Sequence, residues 1–133
     1  MRSIVTGGAG FIGSHLVDKL LDMNHDIVVL DNFSTGRKEN LDHVKGKIKL
    51  VKCDLSNKGD WIKEFKNVDW VFHLASLADI VPSIQNPESY FHSNVDATFY
   101  VLEAARHNNI KRFVYSASSS CYGIPDEYPT PEG

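Results

Sequence analysis

Gly7, Gly10 and Gly13 recur at intervals of three, between the apolar run Ser3-Ile4-Val5 and a helical pattern with Ile12, Leu16, Leu20 and Met23 on or near one face. A strand that breaks into a glycine turn and then a helix makes an anion site. Gly7 permits the tight turn, Gly10 lets a pyrophosphate approach the backbone, and Gly13 lets the helix pack closely on the strand. The helix start, at Phe11 and Ile12, adds N–H groups without internal partners and the positive end of the helix dipole. Asp31, followed by Asn32, ends the next apolar run, Asp26-Ile27-Val28-Val29-Leu30. A carboxylate there can accept both ribose hydroxyls of an adenosine and repels a 2′-phosphate. Glycine turns also arise for purely structural reasons. Strand, turn, helix and distal acid in one unit predict a dinucleotide, NAD in preference to NADP.

Other polar or small residues cluster after apolar runs. Asp54-Leu55 reads as a helix N-cap and its neighbour. Leu74-Ala75-Ser76 is small enough for close packing or for a ligand's approach to the backbone. Ser116 to Ser120 reads, on composition alone, as a loop. Cys121 lies beside it with no general base near in sequence.

These residues need a scaffold that brings strand ends together. Strands are predicted at 2–6, 27–31, 47–53, 69–74 and 112–116. Helix one is predicted at 11–23, a polar loop with a short helix at 32–44, and a short amphipathic helix around Trp61, Ile62 and Phe65. A long helix is predicted from Asn86-Pro87-Glu88, where Asn caps, Pro fits the first position and Glu suits the dipole. Its apolar residues Phe91, Val95, Phe99, Leu102 and Ala105 recur at three or four, and Asn108-Asn109 ends it. This alternation implies an α/β fold: a Rossmann-type, doubly wound parallel sheet of about five strands in the order 3-2-1-4-5. Ligands of such sheets bind beyond the carboxyl ends of the strands, where every motif above falls.

The Gly-x-x-Gly-x-x-Gly spacing in Thr-Gly-Gly-Ala-Gly-Phe-Ile-Gly-Ser-His-Leu resembles the extended short-chain dehydrogenase/reductase family, especially its nucleotide-sugar epimerases and dehydratases. The resemblance continues through Asp31-Asn32, Asp54-Leu55, His73-Leu74-Ala75-Ser76, Asn94-Val95 and Ser116-Ala117-Ser118-Ser119-Ser120-Cys121-Tyr122-Gly123, so it covers essentially the whole chain. It implies NAD as cofactor and a nucleotide sugar as substrate. It assigns Asp54 to the adenine amino group, with Leu55 near the ring. Leu74, Ala75, Ser76 and Ser116 then lie along the cofactor, Asn94 holds the active-site backbone, and Ser118 is the catalytic serine. Ala78 stands where some relatives have a cofactor-touching lysine, and no arginine stands near Val81. The dehydratases and decarboxylases carry an acid just before the Tyr-Gly of the serine segment. This chain has Ser119-Ser120-Cys121-Tyr122 instead, which favours a UDP-glucose 4-epimerase-like activity over the other two. The family's Tyr-x-x-x-Lys pair is absent, and neither Tyr122 nor Tyr128 has a lysine four residues on. The expectation is therefore a truncated NAD-binding domain over 1–133, inactive alone and homodimeric when full length. A free-standing, non-catalytic NAD-binding module is the alternative from another class.

Bulk properties set bounds. The 133 residues suffice for one domain with a real core, and a net charge of −3 gives no basic footprint for nucleic acid. No apolar run has membrane-span length, and no signal peptide opens the chain, so the cytoplasm is expected. The two cysteines and six histidines show no metal-ligand spacing, and the histidines read as surface or packing residues. The stretch from Ile124 to Gly133 holds three of the five prolines and is predicted irregular.

Overall fold

A computed structural model describes residues 1–131. Strands β1 (Arg2–Thr6), β2 (Asp26–Asp31), β3 (Ile48–Lys52), β4 (Trp70–His73) and β5 (Arg112–Tyr115) form one sheet in the order β3-β2-β1-β4-β5. All four pairings are parallel. Helix α1 (Phe11–Asp22) joins β1 to β2. A 3-10 segment, Lys38–Val44, precedes β3, and another, Asp60–Phe65, precedes β4. After β4 come α2 (Ile80–Gln85), α3 (Pro87–Phe91), a π turn (His92–Asp96) and α4 (Ala97–His107). The proline-rich stretch is irregular through Pro131; its last two residues, Glu132 and Gly133, lie outside the described residues.

Successive strand residues face opposite sides of the sheet. Ile4, Val28, Leu30 and Val71 therefore join Trp61, Phe65, Val101 and Ala104 in one core layer. Val5, Ile27 and Val29 join Val17, Leu20 and Leu41 in the other. Burial on both faces is what the near-continuous apolar strands demand.

Three expectations are corrected. Helix α1 buries Gly13, Ser14, Val17 and Leu20, while Ile12 and Met23 are exposed. Close packing at Gly13 rolls the helix so that this line meets the sheet. The long helix is present from Pro87 to His107, but it carries a π turn at its middle, between α3 and α4, and the predicted face is wrong. Its stripe of Phe91, Val95, Phe99 and Leu102 faces outward, and Ala97, Val101, Ala104 and Ala105 face the core. Small residues on the sheet side let α4 lie close, which leaves the large ones outside. Helix α2 was not foreseen, because Pro82 sits inside it and no residue of it is buried.

Candidate functional site

A cleft of about 790 Å³ runs along the carboxyl ends of the strands. Its first wall is the glycine turn. Gly7 adopts φ +68°, where a side chain is strained, and an added Cβ would lie 2.8 Å from the Ala75 nitrogen. At Gly13 an added Cβ would fall 2.2 Å from the Gly7 carbonyl oxygen, so the turn and α1 pack backbone to backbone. Gly10 differs: its Cβ position meets only the Gly7 oxygen, at 3.3 Å, and otherwise faces open space. Phe11 and Ile12 begin α1 and are exposed at the cleft.

Asp31 ends β2 and is buried. Its Oδ2 accepts the Ala9 N–H at 2.9 Å and its Oδ1 accepts the Phe33 N–H at 2.8 Å. The carboxylate is thus fixed against the glycine turn, with further lone pairs available on each oxygen. Asn32 follows, its Oδ1 accepting the Ser34 N–H at 2.9 Å.

Asp54 and Leu55 line the cleft beyond β3. Asp54 does cap, but not the helix: it accepts from the Ser56 N–H at 2.9 Å and the Ser56 hydroxyl at 2.7 Å, closing its own tight turn ahead of the 3-10 segment. The Ser56 hydroxyl, first, holds its carboxyl below the usual carboxylate range. Cys53 is half-buried here, and burial together with the Asp31 and Asp54 charges pushes its thiol up to about 12. Such a thiol is inert as a nucleophile near neutral pH.

The centre of the cleft is the segment Leu74-Ala75-Ser76-Leu77 after β4. Thr6 Oγ1 accepts the N–H groups of Leu74 and Ala75, each at 3.1 Å. Asn94, in the π turn, grips the Leu77 main chain with its side-chain amide. At the far end Ser116 donates its N–H to the His73 carbonyl at 3.1 Å. Ser118 lines the mouth, exposed; its Oγ accepts the Ser120 N–H at 3.2 Å and donates to Ser120 Oγ at 3.0 Å. The hydroxyl caps a short 3-10 turn, Ser119–Tyr122, and still borders the cleft.

Every residue assigned from the sequence to the cofactor, together with Ser118, lines this one cleft, whereas Ser120 and Cys121 do not. The sequence reading gave no role to Thr6, His73, Thr98 or Leu77, which hold its centre. His73 stood inside the quoted His73-Leu74-Ala75-Ser76 run and Thr98 lies three residues after the quoted Asn94-Val95, and that was the available signal. Among the described residues no group of three His, Cys, Asp or Glu could hold a metal ion, and no helix is long and apolar enough to cross a membrane.

Residues 3–133 match the model of the NAD dependent epimerase/dehydratase family. The chain belongs to that family. A putative UDP-glucose 4-epimerase of Methanocaldococcus jannaschii is 40% identical over 131 residues, 97% of this chain and 42% of the relative. UDP-glucuronic acid decarboxylase 1 of Arabidopsis thaliana is 40% identical over 99% of this chain and 29% of its own length. The crystal structure of UDP-glucose 4-epimerase from Bifidobacterium longum, in complex with NAD⁺ and UDP, superposes with a TM-score of 0.88 at 30% identity, covering 99% of this chain and 41% of that one. The chain thus spans less than half the length of each of these family members.

Proposed function

We propose that this chain is the NAD-binding part of a nucleotide-sugar epimerase of the UDP-glucose 4-epimerase kind. The observation that carries the reading is Asp31, held buried against the glycine turn by the Ala9 and Phe33 amides, beside a Gly10 whose missing side chain leaves the turn open to a ligand. A pyrophosphate fits such a surface, because a Cβ at Gly10 would occupy the space it needs. The match to a family of NAD-dependent enzymes supports the same cofactor. Asp31 would take the adenosine ribose hydroxyls and the Phe11 and Ile12 amides the pyrophosphate. Asp54 and Leu55 would flank the adenine, and Leu74, Ala75, Ser76 and Ser116 the nicotinamide side. When bound, NAD supplies the hydride acceptor for oxidation of a sugar carbon.

Ser118 would hydrogen-bond the reacting oxygen of the sugar. A neutral serine is a poor base, and no tyrosine of this chain is followed four residues later by lysine. The 133 residues alone therefore bind NAD without turning sugars over. The acid-free Ser119-Ser120-Cys121-Tyr122 supports epimerisation over water elimination. The Arabidopsis decarboxylase, as identical as the archaeal epimerase, keeps decarboxylation of a UDP-uronate as the second reading. The exposed stripe of Phe91, Val95, Phe99 and Leu102 supports pairing of two copies in the complete enzyme.

The test is product analysis on the protein that carries this chain, supplied with UDP-glucose, UDP-galactose and UDP-glucuronate. Interconversion of the two hexoses supports epimerisation. Carbon dioxide and a UDP-pentose support the second reading. Failure to bind NAD in calorimetric titration would sink both.

A further inference from the structure

His73, the last residue of β4, is 1% exposed and lies beneath the centre of the cleft. Its Nδ1 is 2.7 Å from Thr6 Oγ1 and its Nε2 is 2.8 Å from Thr98 Oγ1. The rings of Phe113 and Tyr115 cover it from β5, at centroid distances of 6.2 and 6.0 Å. No family assignment above gives this histidine a task.

The direction of each hydrogen bond follows from its neighbours. Thr98 Oγ1 is 2.7 Å from the Asn94 carbonyl, which can only accept. The single Thr98 hydroxyl hydrogen is committed there, so toward His73 the hydroxyl accepts, and Nε2 carries a hydrogen. Thr6 Oγ1 already accepts the Leu74 and Ala75 amides, and its own hydrogen needs an acceptor. A bare Nδ1 supplies one. An imidazolium would instead push a third donor at the Thr6 oxygen and leave the Thr6 hydrogen with no partner in a buried place, a costly arrangement. Burial works the same way, pushing the ring's pKa down to about 4.

We propose that His73 is a positioning residue of this cleft: a neutral imidazole, protonated on Nε2, that ties the Leu74 and Ala75 amides through Thr6 to Thr98 and the Asn94 turn. The relay has one polarity from end to end. It joins the strand β1 end, the strand β4 end and the π turn, three elements distant in sequence. Through Asn94 it reaches Leu77, so both ends of the segment Leu74–Leu77 are anchored to it. The proposal depends on the nucleotide reading only in its affinity measurement.

The test begins with ¹⁵N NMR of the imidazoles in the full chain. His73 should show the Nε2–H tautomer and stay neutral at a pH where the exposed His92, whose bond to Asp96 raises its pKa, already carries its proton. Thr98→Val should then speed amide exchange at Leu77 and weaken NAD binding about tenfold, the scale of one lost buried hydrogen bond. Thr98→Ser, which keeps the hydroxyl, should restore both. An Nδ1–H tautomer, or protonation of His73 alongside His92, overturns the proposal. So does a folded Thr98→Val chain with unchanged Leu77 protection. Should Thr98→Val fail to fold, the tautomer in the unmodified chain decides. Should the chain bind no NAD while tautomer and Leu77 exchange behave as stated, the relay stands and the nucleotide reading falls.

Discussion

Asn94 holds Leu77 by both of its main-chain polar groups: Oδ1 accepts the Leu77 N–H at 2.8 Å, and Nδ2 donates to the Leu77 carbonyl at 2.9 Å. The two residues belong to different elements, the π turn and the loop after β4. A side-chain amide offers a donor and an acceptor side by side, so it can take the place of a neighbouring strand where the sheet has ended. π turns recur at functional sites because one extra residue re-aims the side chains around it. Here the turn brings Asn94 to the cleft floor.

Replacing Asn94 by Ala removes both contacts and leaves the Leu77 groups to water. NAD affinity is expected to fall about tenfold, with the sheet intact, since roughly 0.5–1.5 kcal/mol attaches to each such bond. Calorimetric titration alongside circular dichroism measures this. Unchanged affinity in a folded Asn94→Ala chain would show that the segment needs no clamp.

The glycine turn separates fold from binding. Gly13→Ala sets a Cβ 2.2 Å from a carbonyl oxygen of the backbone, which cannot move without opening the turn. A loss of about 1–3 kcal/mol or more is expected in chemical denaturation, the range of forced overpacking. Gly10→Val adds a Cβ that meets only one atom, at 3.3 Å, and otherwise faces open space. It is expected to stay folded and lose NAD binding. The opposite pattern, Gly10→Val unfolded and Gly13→Ala intact, would put the close approach at the wrong glycine.

Asp31 sets the choice between cofactors. Its carboxylate is buried and hydrogen-bonded to two amides, so a negative charge is fixed where a 2′-phosphate would approach. The unmodified chain should bind NAD more tightly than NADP. Asp31→Asn keeps the shape and removes the charge, and it should narrow that gap at least tenfold, the worth of about 1.4 kcal/mol. Parallel titrations with both cofactors check it, and equal affinities in the unmodified chain would remove Asp31 from this role.

Much of this was legible in the sequence because it rests on local rules. The alternation of strand and helix read directly as a parallel sheet, and the sheet order carried Gly7, Asp31, Asp54, Ala75 and Ser118 to the carboxyl ends of its strands. What failed depends on packing at a distance. The large residues Phe91, Phe99 and Leu102 share a helical period with Ala97, Val101 and Ala104, and periodicity alone does not say which stripe faces the sheet. The size of the gap decides, and alanine fits it. The Thr6–His73–Thr98 relay was invisible for the same reason. Its members are ordinary residues separated by 67 and 25 positions, and only the strand register brings them together.

His73 also makes stability depend on pH in a definite direction. Its folded pKa of about 4 lies below the unfolded value of about 6.5. The unfolded chain therefore takes up the proton first. The stabilisation is fully present above about pH 6.5 and is lost progressively as the pH falls toward about 4, reaching about 3 kcal/mol. His92 acts in the opposite sense. Its bond to Asp96 raises its pKa, so its contribution is present below the unfolded value and fades as pH rises, but the ring is exposed and water screens the effect. The lowered carboxyl of Asp54 adds its loss only below the ordinary carboxylate range, after most of the His73 effect. Urea denaturation at pH 7 and near 4.5 should thus show a steep drop for the unmodified chain. His73→Gln, which keeps an amide donor toward Thr98 but has no group that titrates, should be less stable at pH 7 and should fall less between the two conditions. Equal falls in the two chains would mean that His73 takes up its proton as readily folded as unfolded.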